Sequence, residues 1–246
     1  MTLLNVAGID VPITRKNIKN IHLSVNPPSG DVRVSAPLSI TDDTLRVYIV
    51  SKLQWIKKQQ RKYQEQQRLT ERKYIDRESY YLWGKRLLLQ VEEIAPHPLI
   101  VLKNKNILLL SLKPHTPPEK ISVFITEWYR QVIKQAIPGI ISKWEKLINA
   151  SAGCDISVSS WRVQTMKTMW GSCNTDKGRI LINLELVKKP EYCLEYVIVH
   201  EMTHLLERRH DVHFQQLLDG FLPNWKHIRK ELNDLPLSFV EWETPD

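Results

Sequence analysis

"VIVHEMTHLLERRHDVHF", residues Val197 to Phe214, decides how this 246-residue chain is read, because it gathers His200, His204, His210 and His213 around Glu201. Leu194, Val197, Ile198, Met202 and Leu205 recur at helical spacing through it, so the segment is expected to be a buried helix. On a helix, four residues advance the chain by about one turn with a small angular offset, so His200 and His204 project from one face about 6 Å apart. Two imidazoles so placed can share a metal ion. Glu201 lies about 100° further round the axis, flanking such an ion as a general base would, able to take a proton from metal-activated water. Two buried histidines beside a glutamate, with no metal, would be a costly use of an apolar helix face.

A catalytic zinc takes three protein ligands and leaves a fourth position to water. His210 is the leading third ligand, with His213 and Glu207 as the alternatives. A straight helix would carry His210 about 15 Å along the axis from His200, so this assignment requires the helix to end near Arg208 or Arg209. Asp211 is a reasonable N-cap for a new helix in which Phe214, Leu217 and Leu218 are the apolar residues, and the intervening turn would swing His210 back. If His213 is not a ligand, it is a candidate electrophilic or oxyanion-stabilising group in the pocket.

Composition sets the frame for this chemistry. With 42% apolar and 25% charged residues the chain is an ordinary globular mixture, which excludes a disordered or fibrous protein. Cys154, Cys173 and Cys193 form no C-x-x-C pair, and so sparse a set argues for a reducing compartment, the cytoplasm. The N-terminus has no basic segment ahead of its apolar residues and is interrupted by Asp10, unlike a secretory signal. No apolar run approaches the roughly 18 residues of a membrane span, so no membrane partner is expected. A net charge of +8 favours an anionic partner without choosing one.

Along the chain, "NIKNIHLSV" and "DVRVSAPL" flank the turn cluster "NPPSG", which predicts a β-hairpin from about Asn17 to Leu38. A helix should follow, capped by Thr41 and carrying Leu45, Ile49, Leu53 and Ile56 on its apolar face. Its polar end holds Lys57, Lys58, Arg61, Lys62, Arg68, Arg72 and Lys73, interleaved with Trp55, Tyr63 and Tyr74. Such a run is ordinarily a solvated face, and it is also a candidate surface for nucleic acid, cations meeting phosphates and rings meeting bases. "YYLWGKRLLLQVEEI" and "PLIVLKNKNILLLSL" read as further strands, with a hairpin at "KNKN". The prolines of "KPHTPPEK" mark the expected domain boundary, and a long helix from about Glu119 to Ile148 follows, which Pro138 and Gly139 should kink or break. "GRILINLEL" is strand-like, and no internal repeat is visible. The expected architecture is therefore α+β: a β-rich N-terminal domain over residues 1–116 with one long basic helix, then a small metal-dependent hydrolase domain over 117–246.

From about Trp128 to Leu232, "MKTMWGSCNTDKGRILINLELVKKPEYCLEYVIVHEMTHLLERRHDVHFQQLLDGFLPNW" resembles the YgjP-type, WLM-like zinc metallopeptidases, whose hallmarks are K-T-R-W-G-S-C, a strand and H-E-x-x-H-x5-H. The resemblance implies a zincin-like catalytic domain with an H-E-x-x-H active-site helix behind a β-rich N-terminal domain. It implies one Zn2+ per chain on His200, His204 and His210, with Glu201 as general base. Trp170 and Gly171 would wall the site, and the strand "ILINLEL", which includes Asn183, would offer its edge to an extended substrate. Met169 stands where the family has arginine, a cation that Lys167 could replace, and Cys173 is expected to be an inert packed thiol.

Two function classes follow. The first is a zinc-dependent hydrolase, a metallopeptidase by default, with nucleoside triphosphate (pyro)phosphohydrolysis as the alternative reaction at the same centre. The second is a nucleic-acid-associated binding module in which zinc is structural and the basic helix is the working surface.

Overall fold

The computed structural model describes residues 2–26, 30–65, 72–94, 97–166 and 169–236. These residues form a mixed α+β structure with three sheets and six α-helices, and the chain divides into two compact units, residues 1–67 and 68–246.

In the first unit, β1 (Thr2–Val6) and β2 (Ile9–Lys16) pair antiparallel around Ala7 and Gly8, whose φ values of 53° and 79° suit the right-handed twist of a tight hairpin. β3 (His22–Asn26) and β4 (Asp31–Pro37) form the expected second hairpin, with Asn26 opposite Asp31. Pairing of β2 with β4 in parallel gives the order β1-β2-β4-β3. Alternation along β2 and β4 sends Val11, Ile13, Val32 and Val34 inward, where Leu45 and Ile49 of α1 (Asp42–Ser51) meet them. Thr41 caps α1, its hydroxyl accepting the Thr44 N–H at 3.3 Å. The single basic helix expected from sequence is in fact two: α1 stops at Lys52, and α2 (Leu53–Glu65) carries Ile56 into the same core. Lys57, Lys58 and Arg61 are exposed on α2, whereas Arg68 and the Lys62 and Tyr63 side chains lie outside the described residues. Arg72 has left the helix: it stacks on Tyr80 at 4.4 Å and pairs with Glu78.

The second unit begins by repeating this topology. β5 (Ser79–Leu82) and β6 (Lys85–Glu92) turn on Trp83 and Gly84, β7 (Leu99–Lys103) and β8 (Ile107–Ser111) form the next hairpin, and the order is β5-β6-β8-β7 with β6 and β8 parallel. The repeat is topological, which explains why the residue pattern alone did not show it. The compact units divide after Gln67, whereas the sequence placed its boundary at 116/117. Leu87, Leu89, Leu108 and Leu110 belong to one continuous core with Ile121 and Ile133 of α3 (Pro118–Ala152) and with Leu194 and Met202 further on. The prolines of "KPHTPPEK" start a helix here, Pro118 occupying the first turn where a missing N–H costs nothing. α3 also runs unbroken through Pro138. Its buried positions Ile121, Ile125, Tyr129, Ile133, Ile137, Ile141, Trp144 and Ile148 keep their spacing across the proline, so tertiary packing overrides the local penalty.

β9 (Ser160–Gln164), β10 (Gly171–Asn174) and β11 (Arg179–Asn183) make the third sheet in the order β10-β11-β9. "GRILINLEL" is a strand only to Asn183; Leu184–Lys188 is a 3-10 helix, its first turn closed by the Asn183 side chain accepting the Glu185 N–H at 3.1 Å. α4 (Glu191–Thr203), α5 (Val212–Phe221) and α6 (Trp225–Asp234) complete the unit. Among the described residues no helix is long and apolar enough to cross a membrane.

Candidate metal centre

α4 is held on several sides at once. Cys193, Leu194, Val197, Ile198, Val199 and Met202 are buried, and Glu195 accepts from Lys143 Nζ at 2.6 Å and Trp144 Nε1 at 2.7 Å, both on α3. The helix ends at Thr203, earlier than the Arg208 or Arg209 that the sequence suggested. There Leu205, Leu206 and Glu207 donate to the carbonyls of Met202, Thr203 and Thr203, each at 3.0 Å, tightening the last turn. The chain then reverses over residues 204–211 and restarts as α5, where Asp211 accepts the Phe214 N–H at 3.0 Å, the cap expected from sequence.

This reversal brings three imidazoles to one point. His210 Nε2 lies 2.9 Å from His200 Nε2 and 3.0 Å from His204 Nε2, and the candidate ligand atoms of the three all fall within 4.8 Å of one another. His204 Nδ1–H donates to the Glu207 carbonyl at 3.1 Å, which leaves the Nε2 lone pair facing the other two rings. Phe214, 2% exposed, lies against all three rings with centroid separations of 5.0, 4.7 and 4.8 Å, an apolar floor that fixes their directions. Burial pushes the His200 imidazolium down to a pKa of about 3, with His204, His210 and the Arg229 guanidinium adding to the effect. Burial, His204 and Arg229 lower His210 in the same direction. His200 and His210 are thereby biased toward the uncharged form that carries a free lone pair, an arrangement suited to a cation.

Glu201 is 6% exposed, and burial raises its pKa to about 8. It lies against Gly171 of β10 so closely that a Cβ there would stand 2.6 Å from Glu201 Oε1 and 2.8 Å from Val197 Cγ1. Glycine is thus required by the approach of strand to helix. Cys173, two residues along β10, is a free thiol at the same cleft, raised to about 11 by burial and then by Glu201, an inert state at neutral pH. A cleft of about 800 Å³ opens between β10, α4, α5 and α6 and contains the histidines and Glu201.

Of the other residues singled out in the sequence, Trp170 and Gly171 line this cleft. Asn183 does not; it is 4% exposed and its amide is spent on backbone, donating to the Met166 and Met169 carbonyls at 2.9 and 2.8 Å and accepting from the Glu185 N–H. His213 is also outside the cleft, exposed and facing Glu207 at 3.4 Å, so neither it nor Glu207 joins the triad. The edge expected of β11 is occupied, since β11 is the central strand; among the described residues the open edge at the cleft belongs to β10. Met169 lines the cleft without charge, and Lys167 lies outside the described residues.

Sequence reasoning missed α6 and Tyr196. Trp225, Arg229 and Asn233 recur at four-residue spacing and all face the cleft, a pattern that was present in "WKHIRKELN". Tyr196 stacks on Trp225 with an interplanar angle of 10° and touches His200 edge-on. Lys189, 6% exposed and lowered to about 8 by burial, donates to the Pro236 carbonyl and lies 5.8 Å from the Trp170 ring, holding that wall in place.

Fold and site together define a protein that gathers three metal-competent imidazoles beside a buried carboxylate. A family model described as "YgjP-like, metallopeptidase domain" matches residues 19–235. The chain belongs to this YgjP-like metallopeptidase family, and is accordingly a metal-dependent hydrolase. Among solved structures, the metallopeptidase zymogen of Methanocaldococcus jannaschii jannalysin is similar at 21% identity over 37% of this chain and 92% of that one, with a TM-score of 0.31. No curated protein matches the chain.

Proposed function

We propose that the chain is a zinc-dependent metallopeptidase with a zincin-like centre, in which His200, His204 and His210 hold one zinc and Glu201 is the general base. The observation that carries this reading is the convergence of three Nε2 atoms beside a buried glutamate, in a cleft with an open strand edge. Zn–N distances of about 2.0–2.1 Å in a tetrahedron set N···N edges at about 3.3–3.4 Å, a few tenths longer than the 2.9 and 3.0 Å seen here. A small outward shift of the rings would admit the ion. Among the described residues no fourth His, Cys, Asp or Glu joins the group, as suits a catalytic site more than a closed structural one.

When bound, zinc would polarise a scissile carbonyl and acidify the attacking water. Glu201 takes the proton of that water and passes it to the departing amine; its burial makes the carboxylate proton-hungry enough for the first transfer and able to give the proton up in the second. His204 is locked by the Glu207 carbonyl in the tautomer that presents Nε2. β10, paired on one side only among the described residues, offers backbone groups to an extended peptide, with Gly171 keeping the edge close to Glu201. Three free thiols support a reducing, cytoplasmic setting.

The test is turnover of zinc-loaded wild type and Glu201→Gln, side by side, on unfolded polypeptides and on nucleoside triphosphates. Peptide products that require Glu201 are expected. Phosphate or pyrophosphate release by wild type alone would replace the peptide with a nucleotide, and equal turnover by both proteins would remove Glu201 as base. Metal analysis should find one zinc per chain in wild type and none in His204→Ala.

A further inference from the structure

Among the described residues, the charged side chains that line the cleft, apart from the histidines, are Glu201, Arg208 and Arg229. Two of the three are accounted for. Glu201 is buried against Gly171, and Arg208 is paired with Asp176 at 2.5 Å. Arg229, on α6, is exposed to the cleft and, among the described residues, makes no ion pair or hydrogen bond. Its helix neighbours do not neutralise it. Trp225, one turn earlier on the same face, donates its Nε1–H to Asp219 at 2.8 Å, and that aspartate is already shared with Lys226. Asn233, one turn later, accepts from Trp170. A guanidinium left without a counter-charge on the wall of a cleft presents its planar fork of donors to whatever occupies that cleft, and the matching group is an oxyanion.

We infer that Arg229 is a specificity-determining residue that binds a carboxylate of the substrate, so that the cleft selects peptides with a free carboxylate, terminal or side-chain, close to the scissile bond. This rests on the proposed metal centre and adds to it a substrate class. The position is suited to the task. Arg229 stands on the same cleft as His200 and His210, near enough for its charge to be felt at both imidazoles and at Tyr196. Glu201, packed against Gly171, offers no positive charge at its own end of the cleft, so the favourable place for a carboxylate is on the α6 side, where Trp225 supplies an apolar wall and Arg229 the charge. Arg208 competes less well, since Asp176 already occupies it.

The experiment uses monohydroxamates of dicarboxylic acids, from malonic to adipic, each compared with its methyl ester, binding to the zinc-loaded full-length protein by calorimetry. The hydroxamate engages the metal in both members of a pair; only the acid can engage Arg229. Wild type is expected to bind the acid about tenfold or more tightly than the ester at one or two chain lengths, as a charge-assisted pair would require, with the preference shrinking at high salt. Arg229→Gln should equalise acid and ester, and Arg229→Lys should restore part of the preference. Equal binding of acid and ester by wild type at every length, or a preference that survives in Arg229→Gln, would overturn the assignment to Arg229 while leaving the metal centre intact. Binding of neither by the zinc-loaded protein would overturn the metal centre and this subsite with it.

Discussion

Sheet β1–β4 and sheet β5–β8 follow the same path, two hairpins joined so that the second and fourth strands lie parallel, and in each the first hairpin turns on a residue with positive φ followed by glycine. Their fates differ. The first packs under α1 and α2 in a small core of its own, while the second shares one core with α3 and α4. At the matching turns, a Cβ on Gly8 would meet nothing within 4 Å, whereas on Gly84 it would stand 2.9 Å from Cγ of Pro190, the N-cap of α4. Short-range rules of turn geometry and crossover dictate the shared topology. What each copy does is decided by the helix that follows: ten residues in α1, thirty-five in α3 with an isoleucine-rich face long enough to reach the helix that bears the histidines.

The strongest test of that asymmetry is at the centre itself. Glu201→Gln should lower kcat/KM by about 10²–10⁴-fold while stabilising the metal-free protein at high pH. The wild-type carboxyl has its folded pKa raised from 4.5 to about 8 by burial, so the folded state holds the proton more tightly than the unfolded one. Its favourable contribution is complete below pH 4.5 and is lost as pH rises to about 8. The variant's advantage in chemical denaturation should thus be small near pH 4 and reach on the order of a few kcal/mol by pH 8. A pH-independent difference would contradict the burial argument.

Next in size are paired core truncations. Ile49→Ala under the first sheet and Ile133→Ala under the second should each cost about 2–5 kcal/mol in local stability by hydrogen exchange. Only Ile133→Ala should also weaken zinc binding, because α3 holds α4 through Lys143 and Trp144. Equal loss of zinc in both variants would dissolve the contrast.

Gly8→Ala and Gly84→Ala compare the turns directly. The first should cost about 1 kcal/mol for the left-handed backbone alone, and the second clearly more, since Pro190 must move. Equal melting-temperature shifts would show that the Pro190 contact is easily relieved. The smallest effects are expected at the helix caps. Thr41→Ala and Asp211→Ala should each cost about 1 kcal/mol, with the second alone lowering zinc affinity, because Asp211 starts the helix that returns His210 to the site.

Sequence alone determined what is local and periodic. The apolar stripe around His200 and His204, the i to i+4 spacing, the Thr41 and Asp211 caps and the hairpin between Asn17 and Leu38 follow from helix and turn geometry within a few residues, and the structure has all of them. Tertiary structure decided whatever depends on a second partner. Pro138 reads as a break, yet a continuous isoleucine face that shares one core with β6, β8 and α4 outweighs it. Asn183 reads as facing substrate, and the backbone carbonyls of Met166 and Met169 claim it instead. Arg229 was passed over because a lone arginine on a polar helix has no local mark; its significance comes from having, among the described residues, no counter-charge on the wall it faces. A residue's backbone conformation is set mostly by its near neighbours in the chain, whereas its burial and charge environment are set by neighbours far away in sequence.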